Sequence, residues 1–148
     1  MRVSTQFPIA VHIMLMIDSF PDLKITSEVL AESAGSNPVI IRGIFAKLKT
    51  AGLLETKSGK GKTTVTRPAE EITLWDIYTA VESDAPDELF KLHPNTSETC
   101  VVGSNIHALL MPHLEDAVAA LRGSFSKVTL ADLKNELRGK VQREGSDT

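Results

Sequence analysis

One stretch of the chain, residues 25–67, restricts the fold more than any other because its caps and breaks allow few arrangements. Thr26 or Ser27 can cap a short helix that ends before Gly35, since a side-chain oxygen there accepts from unpaired backbone NH groups. Asn37 can open a second helix in the same way, with a proline at its first position. Two short strands around a glycine-containing turn follow. This order predicts a winged helix-turn-helix.

The second helix and the hairpin divide cleanly into core and surface positions. The apolar side chains at helical spacing, expected to face the core, are Ile41, Ile44, Phe45 and Leu48. The strands are predicted at residues 53–57 and 63–67, joined by residues 58–62, whose two glycines can adopt positive φ. The fold class is therefore mainly α with a small β wing.

Charge is distributed unevenly along the chain. Residues 24–67 contain eight Lys or Arg and three acids, a net charge of +5, whereas the whole chain carries −3. A basic segment in an acidic chain is typical of a phosphate-binding face, because Lys and Arg release counterions from a nucleic-acid backbone. A solvated surface is the alternative. Together with the helix-turn-helix, the charge favours double-stranded DNA as the partner.

Other classes of protein fit the sequence poorly. The single cysteine excludes an intramolecular disulfide framework and suits the cytoplasm. The apolar run at residues 9–17 contains His12 and is followed by polar residues, so neither a secretory signal nor contact with a membrane is expected. Gly61-Lys62-Thr63 imitates the end of a phosphate-binding loop but lacks the glycine required five positions earlier. No enzyme activity is expected.

We predict four parts along the chain: a winged helix-turn-helix at 1–82, a linker or sensor loop at 83–103, dimerisation helices at 104–140 and a flexible tail at 141–148. Ser4 or Thr5 can cap a first helix that packs behind the helix-turn-helix. Capping-box patterns at Thr73 and Thr129 start two later helices, the last of which ends near Arg138.

The long helix after the linker has more apolar surface than a small winged domain can cover. Pro112 lies inside it and should kink it or displace its start. A second copy of the chain is the expected cover, and the chain's own winged domain is the alternative. The residues expected at the dimer contact are Ile106, Leu110, Leu114, Val118 and Leu121.

Several sequence blocks resemble the Rrf-two family of bacterial winged-helix transcription regulators, which includes the iron-sulfur cluster regulator, the nitric-oxide-sensing repressor and the cysteine-metabolism repressor. The blocks are Met1-Arg2-Val3-Ser4, Leu30-Ala31-Glu32, the run from Phe45 to Leu53 and, above all, the run from Arg67 to Ile77. The resemblance implies a homodimeric repressor that places one helix of each protomer in a major groove and reads an inverted-repeat operator.

Arg42 is the foremost candidate for reading a base, because a guanidinium can bond guanine O6 and N7 together. Asn37 can meet DNA or serve as a helix cap only, and Val39 or Ile40 can touch a thymine methyl unless Ile40 belongs to the core. The wing is one residue shorter than the family pattern, which favours phosphate contact over minor-groove insertion. The residues expected to contact DNA are Arg2, Thr5, Ser36, Asn37, Pro38, Val39, Arg42, Lys60 and Lys62.

The sensor region departs from the family. Cluster-binding members have three cysteines in the linker that corresponds to residues 83–103, whereas this chain has only Cys100, so no iron-sulfur cluster and no other cofactor is expected. Cys100, just before a helix N-terminus, is a candidate redox sensor, with an unreactive cysteine as the alternative. An unknown small-molecule or protein effector is the remaining partner.

A second class of function stays open at this point. The same winged helix can be a protein-interaction module without specific DNA readout, in which the basic face or the Val39-Ile40 surface docks another protein.

Overall fold

The chain is mainly helical, with one two-stranded antiparallel hairpin in which β1 pairs with β2. The computed structural model describes residues 4–57 and 61–146. The elements in chain order are α1 Gln6–Ser19, α2 Ser27–Ala34, α3 Pro38–Thr50, β1 Leu54–Lys57, β2 Lys62–Val65, a 3₁₀ turn Ala69–Glu71, α4 Leu74–Val81, α5 Pro86–Leu89, α6 Ile106–Phe125 and α7 Leu130–Ser146. This order confirms the predicted winged helix-turn-helix.

The two helices of the helix-turn-helix begin and end where their caps require. Thr26 Oγ1 accepts from the Val29 backbone NH at 3.2 Å, and Asn37 Oδ1 accepts from the Ile40 backbone NH at 3.0 Å. Gly35, at φ +65°, ends α2 in a left-handed conformation that glycine adopts without steric penalty. These contacts fix the angle at which α3 leaves α2.

The core lies between α1 and the helix-turn-helix. The buried side chains of α1 are Ala10, Ile13, Met14 and Ile17, and those of α3 are Ile41, Ile44 and Leu48. Helices α2, α3, α4 and α7 and strand β2 all contact α1. The apolar stripe of α1 is therefore covered on several sides, and it holds α3 with its opposite face outward.

Two capping boxes meet where α4 and α7 begin. The Thr73 hydroxyl accepts from the Asp76 backbone NH while the Asp76 carboxylate accepts from the Thr73 NH, and Thr129 with Asp132 repeats the arrangement. Thr73 and Thr129 also form an isolated antiparallel bridge. Arg67, just after the wing, donates from Nη2 to Asp76 Oδ2 at 3.0 Å. The wing is thereby tied to the start of both helices.

The structure departs from the sequence prediction at one helix, α7, and for α6 it excludes a start displaced by Pro112. Helix α7 continues to Ser146, beyond the predicted end near Arg138, so residues 141–146 are helical where a loose tail was expected. Helix α6 begins before Pro112 and continues through it. In the part of the chain that the structure describes, no helix has both the length and the apolar character needed to cross a membrane.

We expect Asp76→Ala to lower the free energy of unfolding by about 1–2 kcal/mol, because it removes a helix cap and the partner of Arg67. Urea unfolding at a fixed protein concentration measures the change. Asp132→Ala is the matched control, since it removes the same kind of cap without an arginine partner. Equal losses for the two variants would show that the Arg67 contact contributes nothing to stability.

Candidate nucleic-acid interface

The outward face of α3 is narrow and made mostly of small side chains. The exposed residues on the side away from the core are Val39, Arg42, Gly43, Ala46 and Thr50. Val39 is 73% exposed and Ile40 is 45% exposed, so Ile40 does not belong to the core. An added Cβ at Gly43 would meet nothing within 4 Å. With no large side chain along its middle, this face lets the backbone of α3 approach a groove closely.

Arg42 stands at the edge of this face and is paired with an acid on the preceding helix. Its Nη2 donates to Glu28 Oε1 at 3.3 Å, and both side chains are largely exposed. A guanidinium has five NH donors in a fixed plane, so this contact leaves others free for a ligand. Arg42 is therefore exposed, and Glu28 holds its guanidinium on one side.

A concave surface of about 410 Å³ lies between the helix-turn-helix and the wing. Its cationic side chains are Lys24, Arg42 and Lys49, and the wing contributes Thr56, Gly61 and Thr63. Thr56 and Thr63 face each other across the hairpin, with their hydroxyl oxygens 3.0 Å apart. Three cations around a cavity of this size make a favourable place for a phosphate group.

The wing adds further positive charge near its tip. In the register of β1 and β2, Lys57 lies opposite Lys62. Like charges directly opposite one another destabilise a hairpin, so this pair does not help the two strands to fold. Gly61, at φ +59°, makes the turn before β2. A Cβ built there would lie 3.9 Å from Lys24 Nζ, which places that amine against the wing.

The predicted contact residues are partly brought together. Four of them belong to α3, its cap or the wing, namely Asn37, Val39, Arg42 and Lys62. Ser36 and Pro38 lie beside them and are partly buried. Thr5 is exposed at the start of α1. Arg2 and Lys60 lie outside the described residues.

Several residues of this surface were not among the individually expected DNA contacts, namely Lys24, Lys49, Lys57, Ala46 and Thr50, although the three lysines belong to the predicted basic segment. Helical phase alone would have placed Ala46, Lys49 and Thr50 on the outward side of α3. Lys24 and Lys57 carried no local signal beyond their charge, because the fold brings them to the site from a loop and a strand.

The long helix α6 has one covered side and one open side. Val118 is only 9% exposed within this single chain, so the chain itself buries this member of the predicted dimer stripe. Phe125 stacks on Phe7 of α1 with ring centroids 5.1 Å apart, which anchors the end of α6. Leu109 is 61% exposed and Leu110 is 37% exposed. Ile106, Leu114 and Leu121 are partly buried.

Cys100 lies in a tight turn before α6 and is exposed. Backbone NH groups of Gly103 and Val102 bond its sulfur and lower the pKa of the thiol. A Cβ at Gly103 would lie 2.8 Å from the Ser97 carbonyl oxygen, so this turn requires glycine. The position does not by itself make the thiol reactive, and a redox role for Cys100 stays a prediction.

Comparison with known proteins identifies the family of this architecture. A family model described as "Rrf2: Iron-dependent Transcriptional regulator" matches residues 3–136. YwnA of Bacillus subtilis (strain 168), a proposed HTH-type transcriptional regulator, is 30% identical over 135 residues, which cover 91% of this chain and 98% of YwnA.

Solved structures show the same fold. A proposed transcriptional regulator from Lactobacillus plantarum matches with a TM-score of 0.74 and 27% identity, covering 97% of this chain and 99% of that one. CymR, the global cysteine regulator of B. subtilis, matches with a TM-score of 0.64 and 17% identity over 91% of this chain and 97% of its own. At that identity, CymR supports the fold alone.

The family description names iron, which raises the question of whether this chain has residues that could bind an iron-sulfur cluster. Cysteine-ligated clusters need several thiolates, and this chain has one cysteine. Among residues 4–57 and 61–146, no three His, Cys, Asp or Glu side chains are grouped so that they could hold a metal ion. His107 Nε2 instead lies 2.9 Å from the His93 carbonyl oxygen. The residues present therefore do not fit a cluster held in that way.

We expect substitutions of Asn37 to separate its role as a cap from contact with DNA. Asn37→Ala should lower the free energy of unfolding by about 1 kcal/mol, whereas Asn37→Ser should retain most of the stability because serine also caps helices. Thermal or urea unfolding checks this order. If Asn37→Ser is as stable as the unsubstituted protein but binds DNA more weakly, the amide contacts DNA; unchanged affinity would make Asn37 a cap only.

Proposed function

We propose that this chain, which belongs to the Rrf2 family of transcriptional regulators, acts in the cytoplasm as a homodimeric repressor that occupies an inverted-repeat operator. The single observation that supports sequence-specific binding to DNA is the outward face of α3, where Arg42 lies beside a row of small side chains. Occupying promoter DNA would exclude the polymerase, which accounts for repression.

In this proposal the two parts of the surface have different tasks. Helix α3 enters the major groove, where Arg42 bonds a guanine and Val39 packs against a thymine methyl. Lys24 and Lys49 line the groove between α3 and the wing, and Lys62 lies on the wing itself. These lysines contact phosphates, which position the protein without reading sequence. Affinity then comes mainly from the lysines and specificity mainly from α3.

Dimerisation would follow from the open side of α6. Leu109 and Leu110 form an exposed apolar surface on a helix whose other side is already packed. A two-fold axis along this surface would place two copies of α3 on one side of the dimer, where they can read two half-sites. The apolar groove between α1 and α7, with exposed Phe20 and Leu137, is a second surface that a partner protomer can cover.

The signal that controls binding would act on the segment between α4 and α6. We propose a small-molecule or protein effector there, without a metal cofactor, because the thiolates that a cluster needs are missing from the sequence. Cys100 is the alternative sensor within the same segment.

Arg42→Ala should weaken binding to the cognate operator by about 1–3 kcal/mol and relax the preference at one base position. Lys62→Ala should weaken binding to every duplex alike, because it removes a phosphate contact. Fluorescence anisotropy with the protein's own upstream promoter fragment and a scrambled fragment measures both effects. Equal losses on the two fragments for Arg42→Ala would contradict its role as a base reader.

The same titrations separate DNA binding from the protein-interaction alternative. Phosphate contacts release counterions, so affinity for the promoter should fall steeply as salt rises. Specific binding should exceed binding to the scrambled fragment by about 10³-fold or more. Weak, equal binding to both fragments would favour an interaction module that uses the exposed Val39 and Ile40 surface.

Leu110→Glu, alone or with Leu109→Glu, should shift the protein from dimer to monomer, because the substitution places charge in an apolar contact. Light scattering coupled to size-exclusion chromatography gives the mass directly. Val39→Glu is the matched control, since it adds the same charge at an exposed apolar position on α3. A dimer that persists in both α6 variants would move the proposed contact elsewhere.

A further inference from the structure

Glu28 is an acid beside a surface whose other charged side chains are cations that can bind phosphates. It lies in the first turn of α2 and its carboxylate reaches Arg42, while the adjoining cavity is lined by Lys24, Arg42 and Lys49. A carboxylate near a DNA backbone repels it, so Glu28 opposes the affinity that the lysines supply. Affinity for DNA therefore does not explain an acid at this position.

The geometry of the pair supplies such a benefit. Glu28 Oε1 accepts from one terminal nitrogen of Arg42 at 3.3 Å, and the planar guanidinium has further NH groups that can bond a ligand. A long arginine side chain with 59% exposure has many rotamers, and an ion pair from one side reduces their number. An oriented guanidinium loses less entropy when it forms two bonds with guanine.

We propose that Glu28 is a specificity-determining residue that positions Arg42 for a guanine and penalises DNA that lacks one. At the cognate base, Arg42 bonds the guanine edge while Glu28 holds the guanidinium in position. On other DNA, the same ion pair keeps Arg42 from turning toward a phosphate, so the surface gains less from the DNA backbone. This inference rests on the proposed function, because it requires that α3 reads DNA.

Glu28 also lies near the positive end of the α2 dipole, where an acid stabilises a helix. A purely structural role of that kind predicts a loss of stability and equal changes in affinity for all DNA. A role in specificity instead predicts a change in the ratio of the two affinities. The ratio is therefore the quantity to measure.

The experiment compares two duplexes: one selected by the unsubstituted protein from a random-sequence library, and one with the same bases in scrambled order. In Glu28→Gln, binding to the scrambled duplex should tighten about threefold to tenfold, because Arg42 is then free to turn toward a phosphate. Binding to the selected duplex should stay level or weaken. The specificity ratio should therefore fall by about threefold or more.

Two further variants isolate the contact with Arg42. Glu32→Gln removes the same charge from an exposed position one turn along α2, and its specificity ratio should stay unchanged. In an Arg42→Ala background, adding Glu28→Gln should not lower the ratio further, because the positioned group is already gone. Thermal unfolding of each variant checks that the fold is retained.

The outcomes separate this inference from the proposed function. If the unsubstituted protein discriminates but Glu28→Gln has the same ratio, Glu28 does not determine specificity and the proposed function stands. An equal change on both duplexes, with or without a loss of stability, also overturns the inference. If the unsubstituted protein selects no sequence from the library, the proposed function fails and this inference fails with it.

Discussion

The burial of α1 is the constraint on which the rest of the structure depends. Its apolar stripe, centred on Ile13 and Met14, is the common surface for the helix-turn-helix, α4, α7 and the second strand of the wing. Because α3 buries Ile41, Ile44 and Leu48 on its inner side, its orientation is set by the core and not by its exposed residues. The outward side chains of α3 can therefore change without altering the orientation of the helix.

A chain of polar contacts joins the wing to the C-terminal helices. Arg67 follows β2 and bonds the same Asp76 carboxylate that caps α4, and the bridge from Thr73 to Thr129 continues to the start of α7. Leu130, fully buried beside this bridge, adds an apolar anchor. The wing, α4 and α7 therefore meet at one well-defined junction.

Local signals made most of the fold predictable. Four polar residues indicate helix starts by their type, and the side-chain oxygen of each accepts the expected backbone NH bond. They are Thr26, Asn37, Thr73 and Thr129. The contact of Glu28 with Arg42 could not be predicted in that way, since it joins two helices across a turn. The length of α7 was also missed, because Gly139 suggested a break, although Leu133, Leu137 and Val141 continue at helical spacing.

The segment between α4 and α6 is attached to the molecule in a particular way. Around Cys100 its hydrogen bonds stay within the turn, and His93 contacts the first turn of α6 at His107. The core residues that orient α3 lie on other elements. During evolution, substitutions can thus accumulate in this segment while α3 keeps its orientation, so that one scaffold can be inherited with different connecting segments.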